Sequence, residues 1–561
     1  MVAATAQTSN EETRRRAAWR LALRLPLACV LAVVVTLLAA GTAGCWKRET
    51  LVERALKDKV LHRSVGAEPE DLDPHFAVQA ADYHVLSALF EGLVAEDPVD
   101  LRPVPGVAEH WEMSQDGCVF TFTLRADARW SDGSVVTAGD FVASFRRALS
   151  PTLGAKAAPR LHILRGARAY NRGETTDFGT VGAEARGART LVLTLERPCA
   201  SFLSMLAQPV WYPVNVKAIE RLGPADRRGT AWARPGRMVG NGPFTLAEWS
   251  VNHRIVAHRS ASYWDAARVS LREIHFYPMT PDTEERAFRA GQLHVTDALP
   301  PGRAAHHAAA SPSPLRTDPL LGTYFYRLNT RIPALSDARV RRALGLAIDR
   351  EAIIRRILQG GQAPAPAFTP PGIAEYTPPA LFRHDPELAR RLLAEAGHPG
   401  GVALPPIEIL FNSSDTHRAV AEALQEMWRK ELGVQVTLSN MEQASVLAAR
   451  ARGAFQVLRS SWTADYADPE NFLDLWTTGA PDNCTGWSDA EYDALLAMAA
   501  GEREPARRRQ LLAQAEQRLL MAAPVIPIYH YTHLYLLHPS VRGWHPTTLD
   551  HHPYKHVRIE P

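Results

Sequence analysis

Arg459, Trp462 and Asp465 lie within one short stretch, Arg459-Ser460-Ser461-Trp462-Thr463-Ala464-Asp465-Tyr466. A guanidinium and a carboxylate held apart on one strand end match the two ends of a zwitterion, and the indole beside the acid shields it from water. The stretch follows the apolar run 455–458 and precedes Asp468-Pro469-Glu470, so it falls where a strand gives way to a loop. Loops on a rigid scaffold concentrate binding residues. The same residues would equally make a surface salt bridge beside a buried Trp, and the stretch alone leaves both readings open.

Other chemistry is sparse. Beyond residue 45 only Cys118, Cys199 and Cys484 remain, far apart and without CxxC spacing, which excludes zinc-ribbon and thioredoxin chemistry and leaves one disulfide open. The histidines near the end, His545, His551, His552 and His556, show no i, i+4 pair beside an acid and read as a solvated surface tail. No HExxH, GxSxG elbow or supported SxxK occurs, so no catalytic residue, metal or cofactor is expected.

The elements that must position the site are set by length and pattern. A chain of 561 residues exceeds one compact core, and its 46% hydrophobic and 22% charged content is that of a globular protein. No period of 20–50 residues appears, which argues against a solenoid or propeller. Residues 1–44 read as an export signal: Arg14, Arg15, Arg16, Arg20 and Arg24, an apolar run over 25–40, then small residues before Cys45. The run is short for a spanning helix, although an uncleaved anchor stays open. Five Arg against Glu11 and Glu12 give the leader +3, equal to the formal +3 of the whole chain. The mature chain is therefore near neutral, which removes any electrostatic case for nucleic acid.

Local patterns then supply elements. Phe120, Phe122 and Leu124 alternate with polar residues as in a half-buried strand, and Thr137 caps a helix running to Leu149. Asp385 before Pro386 starts a helix that Gly397 ends, and residues 418–432 are in helical register up to Gly433. Residues 489–521 read as helical and 523–531 as a strand returning toward the first lobe. Strand–helix alternation predicts an open α/β lobe.

The run Gly106-Val107-Ala108-Glu109 … Trp111 … Asp116-Gly117 … Phe120-Thr121-Phe122 … Trp130-Ser131-Asp132-Gly133 … Asp140-Phe141 resembles the signature of the family-5 solute-binding proteins, the peptide and nickel receptors of ABC importers. Asn412-Ser413-Ser414-Asp415-Thr416-His417, Trp462-Thr463-Ala464-Asp465-Tyr466 and Pro524-Val525-Ile526-Pro527-Ile528-Tyr529 are similar to the oligopeptide-binding branch, in matching order. Ala43-Gly44-Cys45 resembles a bacterial lipobox, with Thr42 in place of the usual Leu, which would make Cys45 a lipidated N-terminus.

The resemblance implies an α/β, type II periplasmic-binding-protein fold: two α/β lobes around a hinge, with an extra domain inserted in the first. Its expected limits are lobe I over 45–80, 214–321 and 532–561, the extra domain over 81–213, and lobe II over 322–531. It implies a lipid-anchored, extracytoplasmic, monomeric receptor rather than an enzyme, delivering an oligopeptide to an ABC permease and ATPase. A nickel chelate, haem, sugar or murein peptide is the other ligand class, and an exported hydrolase the remaining alternative.

Carried over residue by residue, Asp465 beside Trp462 meets the peptide ammonium, Arg459 and His417 its carboxylate, and Glu68 its backbone N–H groups. Phe325, Leu447 and Tyr531 are wall candidates for which core packing is equally open. Thr463 and Gly322 stand where relatives carry a bridged cysteine pair. Gln443, Ala451 and Leu358 stand where relatives place aromatic or basic pocket groups, so side-chain preference and peptide length stay open.

Overall fold

The computed structural model describes residues 49–300, 302–373 and 375–561; the export signal and Cys45 lie outside the described residues. β1 (Val60–Ser64) opens the first lobe. The chain then leaves for an inserted domain with β2 (Val94–Glu96), β3 (Pro103–Pro105), β4 (Ala108–Met113), β5 (Val119–Leu124), β6 (Ala183–Ala185) and β7 (Thr190–Thr194). There β4-β5-β7-β6 form one antiparallel sheet, while β2 and β3 pair separately. On its return, β8 (Phe244–Ser250), β9 (Arg254–Arg259) and β10 (Glu273–Tyr277) join β1 in the order β1-β10-β9-β8.

β11 (Leu315–Leu328) carries the chain out of this lobe. The second lobe adds β12 (Ala363–Pro364), β13 (Ile407–Asn412), β14 (Val436–Met441), β15 (Val457–Thr463) and β16 (Val525–Leu536) in the sheet order β12-β16-β11-β15-β13-β14. β17 (Val541–Arg542) and β18 (Arg558–Ile559) close the chain as a two-stranded sheet.

Local signals account for many of these elements. Phe120, Phe122 and Leu124 are buried while their β5 neighbours are half-buried. Thr137 and Asp140 close a capping box on the helix Ala138–Leu149, with the Thr137 N–H donating to Asp140 at 2.8 Å. The Asp385 carboxylate accepts from the Leu388 N–H at 2.9 Å, and Pro386 fills the first helical position of Pro386–Glu395. The helix Asp415–Leu432 starts three residues before the expected Arg418, because Ser414 supplies its cap.

The expected helix over 489–521 is two helices, Ala490–Gly501 and Pro505–Ala522. Pro505 lacks the N–H a continuing helix needs, and Glu504 caps the second piece.

Packing divides along the same lines. Leu61, Leu86, Phe90, Phe276, Tyr535 and Tyr554 share the first core, which takes in the helix Ala80–Leu89. Phe120, Phe141, Phe202 and Trp211 share the core of the inserted domain. In the second lobe, successive β11 side chains enter different layers: Tyr324, Tyr326 and Leu328 join Trp428 and Ile409, while Leu321 and Phe325 join Phe368 and Trp476. A strand covered on both faces reads as a continuous apolar run. Phe325 is fully buried, edge-on to Phe368 and Trp476, so this expected wall residue is core.

The histidine-rich end is not a solvated tail. Trp544, Tyr554, Val557 and Ile559 draw it into the first core, where the His552 ring stacks on Trp544 at 3.9 Å and the His551 ring on Tyr83 at 3.7 Å.

Trp428 joins the helix Asp415–Leu432 to the second lobe by burial and by its Nε1–H donation to the Leu344 carbonyl at 2.9 Å. Trp428→Ala is expected to lower the unfolding free energy by about 3–5 kcal/mol, measured by denaturant titration.

Candidate ligand-binding site

β15 carries the site. One edge pairs antiparallel with β11, from Val457 opposite Leu328 to Thr463 opposite Gly322. On the other edge β13 pairs only with Val457 and Leu458. From Arg459 to Thr463 that edge has no strand partner among the described residues, so its backbone groups are available to an added strand.

Pleating sends Arg459, Ser461 and Thr463 to one face and Ser460 and Trp462 to the other. The Arg459 guanidinium lies 4.5 Å over the Tyr324 ring and donates to Asn412 Oδ1 at 3.3 Å and Tyr531 Oη at 3.2 Å. His417, in the first turn of Asp415–Leu432, lies 3.4 Å from Tyr324 Oη through Nδ1. Burial, reinforced by the Arg459 charge, lowers the His417 pKa to about 4. Arg459 and His417 therefore converge on Tyr324, with Arg459 as the cation, also held by Tyr531, and His417 a neutral partner.

The far end of the strand is held by a different device. Asn471 Oδ1 accepts from Trp462 Nε1 at 2.9 Å and from the Asp465 N–H at 3.2 Å. Trp462 thus shapes the loop that presents Asp465. Gln208 of the inserted domain donates to the Asp465 carbonyl at 3.3 Å, and Arg160 Nη2 donates to the Asp465 carboxylate at 2.8 Å. That ion pair is open to water, with side chains 32% and 37% exposed. β15 extends only four residue steps from Arg459 to Thr463, about 13 Å at about 3.3 Å per residue, and Asp465 follows two residues beyond its end.

Other expected site residues fall elsewhere. The Glu68 carboxylate accepts from Trp249 Nε1 at 2.6 Å and from the Asn252 N–H at 3.0 Å, so it is spent on the β8–β9 hairpin of the first lobe. Leu447 is exposed on the helix Gln443–Arg452. Gly322 faces Thr463 across the ladder, and a Cβ at 322 would meet the Tyr531 ring at 2.9 Å, so the aromatic wall occupies the space of a side chain there. Cys118, Cys199 and Cys484 are free thiols.

Sequence reasoning missed Arg160, Asn471 and Tyr324. Arg160 sits in a short 3-10 turn, Ala158–Leu161, which offers no spacing to read. Asn471 follows the Asp468-Pro469-Glu470 segment, whose turn chemistry marked the loop but not the residue that braces it.

Comparison with known proteins places the chain. The profile of bacterial extracellular solute-binding proteins, family 5 (middle), matches residues 102–484. The chain belongs to this family. It is 35% identical over 528 residues to the periplasmic oligopeptide-binding protein OppA of Escherichia coli strain K12, covering 92% of this chain and 94% of that one. YgiS of the same organism, described as a probable deoxycholate-binding periplasmic protein, is 35% identical over 85% of this chain and 89% of its own. The unliganded open form of the periplasmic murein tripeptide-binding protein MppA superposes with a TM-score of 0.80 at 34% identity, covering 90% of this chain and 98% of that one.

The fold is accordingly the type II periplasmic-binding-protein fold. No described helix is long and apolar enough to cross a membrane.

With a folded pKa near 4 against an ordinary 6.5, His417 takes up its proton less readily in the native state than when unfolded. Its contribution to stability therefore rises with pH between those values and is level above. Histidine-selective NMR is expected to show the His417 ring, assigned by its loss in His417→Asn, unchanged from pH 5.5 to 7.5. A midpoint near 6.5 would contradict its burial.

Proposed function

We propose that this protein is an extracytoplasmic receptor that captures short peptides and hands them to an ABC permease and ATPase, with no chemistry of its own. The open edge of β15 carries this reading. An extended peptide laid along Arg459–Thr463 would complete a ladder whatever its side chains, since the backbone supplies the hydrogen bonds. Its ammonium would meet Asp465 beyond one end of that edge. Its carboxylate would meet Arg459 beside neutral His417, toward the other end of the same edge. Half-buried Tyr531, packed on the buried Tyr529, would supply apolar surface for the side chain near Arg459.

In this reading Cys45 carries a lipid that anchors the monomer to the membrane. Lobe I comprises 45–90, 212–321 and 532–561, the inserted domain 91–211, and lobe II 322–531. The first limit lies beyond Leu89 because the helix Ala80–Leu89 packs in the first core.

A second reading keeps the fold and takes a solute without an ammonium group. It is favoured by Arg160, which already neutralises Asp465, and by the similarity to YgiS.

Native mass spectrometry of the protein as purified distinguishes the two: bound masses matching intact short peptides support the first reading, and a bound non-peptide overturns it. Asp465→Ala is expected to weaken free-amine peptides by about 10–100-fold in calorimetry, the worth of a charge-assisted hydrogen bond of about 1.5–3 kcal/mol. N-acetylated peptides of the same sequence should change little. Equal losses for both would remove Asp465 from the ammonium role.

A further inference from the structure

In the first lobe, away from β15, four segments distant in sequence bring imidazoles and carboxylates together. His84 sits on the helix Ala80–Leu89, Asp297 follows the helix Pro281–Arg289, His533 lies on β16, and Asp550 belongs to the C-terminal segment. His84 Nε2 stands 3.3 Å from Asp550 Oδ2 and 3.8 Å from Asp297 Oδ1. Ligand atoms from these three residues lie within 4.8 Å of one another. Yet His84 is only 3% exposed, and its Nε2 makes no well-formed hydrogen bond to either carboxylate. The buried Nε2 thus faces two acids with only the 3.3 Å approach to Asp550 to satisfy it.

The surroundings are built to aim these atoms. Asp550 Oδ1 is held by His533 Nδ1 at 3.1 Å and His552 Nε2 at 2.9 Å, which leaves Oδ2 for His84. His533 Nε2 reaches the Asp297 carbonyl at 2.6 Å, and His552 is fixed by its stack on Trp544. A carboxylate with one oxygen held by imidazoles and the other directed inward is the orienting arrangement that metal sites use. Gly66 leaves space for the Asp297 side chain, since a Cβ there would come 2.5 Å from its Oδ2. Arg63 donates to the neutral Tyr554 Oη and Ser64 carbonyl, so its charge remains and a bound ion shares the two acids with it.

We propose that His84, Asp297 and Asp550 form a binding site for one divalent transition-metal ion of the zinc type. Donors bound at about 2.0–2.2 Å in a tetrahedron stand about 3.3–3.6 Å apart, close to the distances from His84 to the two acids. An imidazole among two carboxylates selects a borderline ion over Mg²⁺ or Ca²⁺, which prefer oxygen alone. The half-buried Asp297 side leaves the fourth position to water. The bound ion would tie together the helix Ala80–Leu89, the segment carrying Asp297 and the C-terminal segment, and the proposal does not rest on what the β15 cleft binds.

The test is calorimetric titration of chelator-treated protein with Zn²⁺ alone, with metal content by mass spectrometry after gel filtration. One retained equivalent and a raised Tm are expected, with no response to Mg²⁺. His84→Gln and the milder Asp297→Asn should each weaken binding at least 100-fold, while His545→Ala keeps it. Folding of each variant is checked by circular dichroism, and the parent titration stands without them. A parent that retains no zinc overturns the proposal, as does a retained equivalent with unchanged affinity in both His84→Gln and Asp297→Asn.

Discussion

The antiparallel pairing of β11 with β16 is the constraint on which the second lobe and its site depend. The two strands run side by side from Leu315 opposite Leu536 to Arg327 opposite Val525, and each has one end in either lobe. Between Pro319 and Thr323 the register shifts and residues 320–322 leave the ladder. Proline has no N–H to give, and an irregular stretch bends with few hydrogen bonds to break. Leu321 uses its backbone elsewhere: its N–H donates to the Thr548 carbonyl, and its carbonyl accepts from the Ala464 N–H. The residue next to Asp465 is thus hydrogen-bonded to the interrupted stretch itself. A hinge motion centred there would move Asp465 with the second lobe while β16 keeps its hold on the first.

Much of the fold was legible wherever the deciding information lies within four residues. Thr137 with Asp140, and Asp385 with Leu388, declare their helices because cap and capped group are neighbours. What escaped depends on partners far along the chain. Arg160 meets Asp465 across 305 positions, and neither residue advertises the other. Glu68 is claimed by a hairpin more than 180 positions away. Phe325 misleads for another reason: with both faces of β11 covered, an apolar run cannot say which side chains meet the cleft. The C-terminal histidines were misread because their burial is decided by a core assembled largely from residues 55–295. The long family signature supplied the topology, which no local pattern contains.

The charged pairs divide by burial into those that hold domains together and those free to exchange. Arg147 of the inserted domain donates twice to Asp73 of the first lobe, with both side chains no more than 5% exposed. The Asp73 carboxyl is held below its ordinary range despite a burial that opposes ionisation, because the guanidinium and His75 stabilise its charge. Removing one member of such a pair strands the other and costs about 3–5 kcal/mol. Arg508 with Asp468 and Glu470 plays a similar part beneath the Asp465 loop, where Ser201 of the inserted domain also donates to Glu470. These joints are structural.

Arg160 with Asp465 is of the other kind. An ion pair this open to water contributes about 0–1 kcal/mol, because each charge is nearly as well solvated apart. An ammonium arriving at Asp465 would replace one N–H donor by another, and releasing Arg160 would weaken its binding by no more than about five-fold. The released guanidinium would then face water or an acceptor on the solute. A solute without a cation has no reason to displace Arg160, and meets a wall already neutral. The same pair therefore leaves a peptide nearly unhindered while removing the penalty that a bare carboxylate would impose on an uncharged or anionic solute. In the proposed receptor, Arg160 would make the Asp465 end of the cleft tolerant, and discrimination would have to come from the Arg459 end, where the guanidinium is committed to Tyr324, Tyr531 and Asn412.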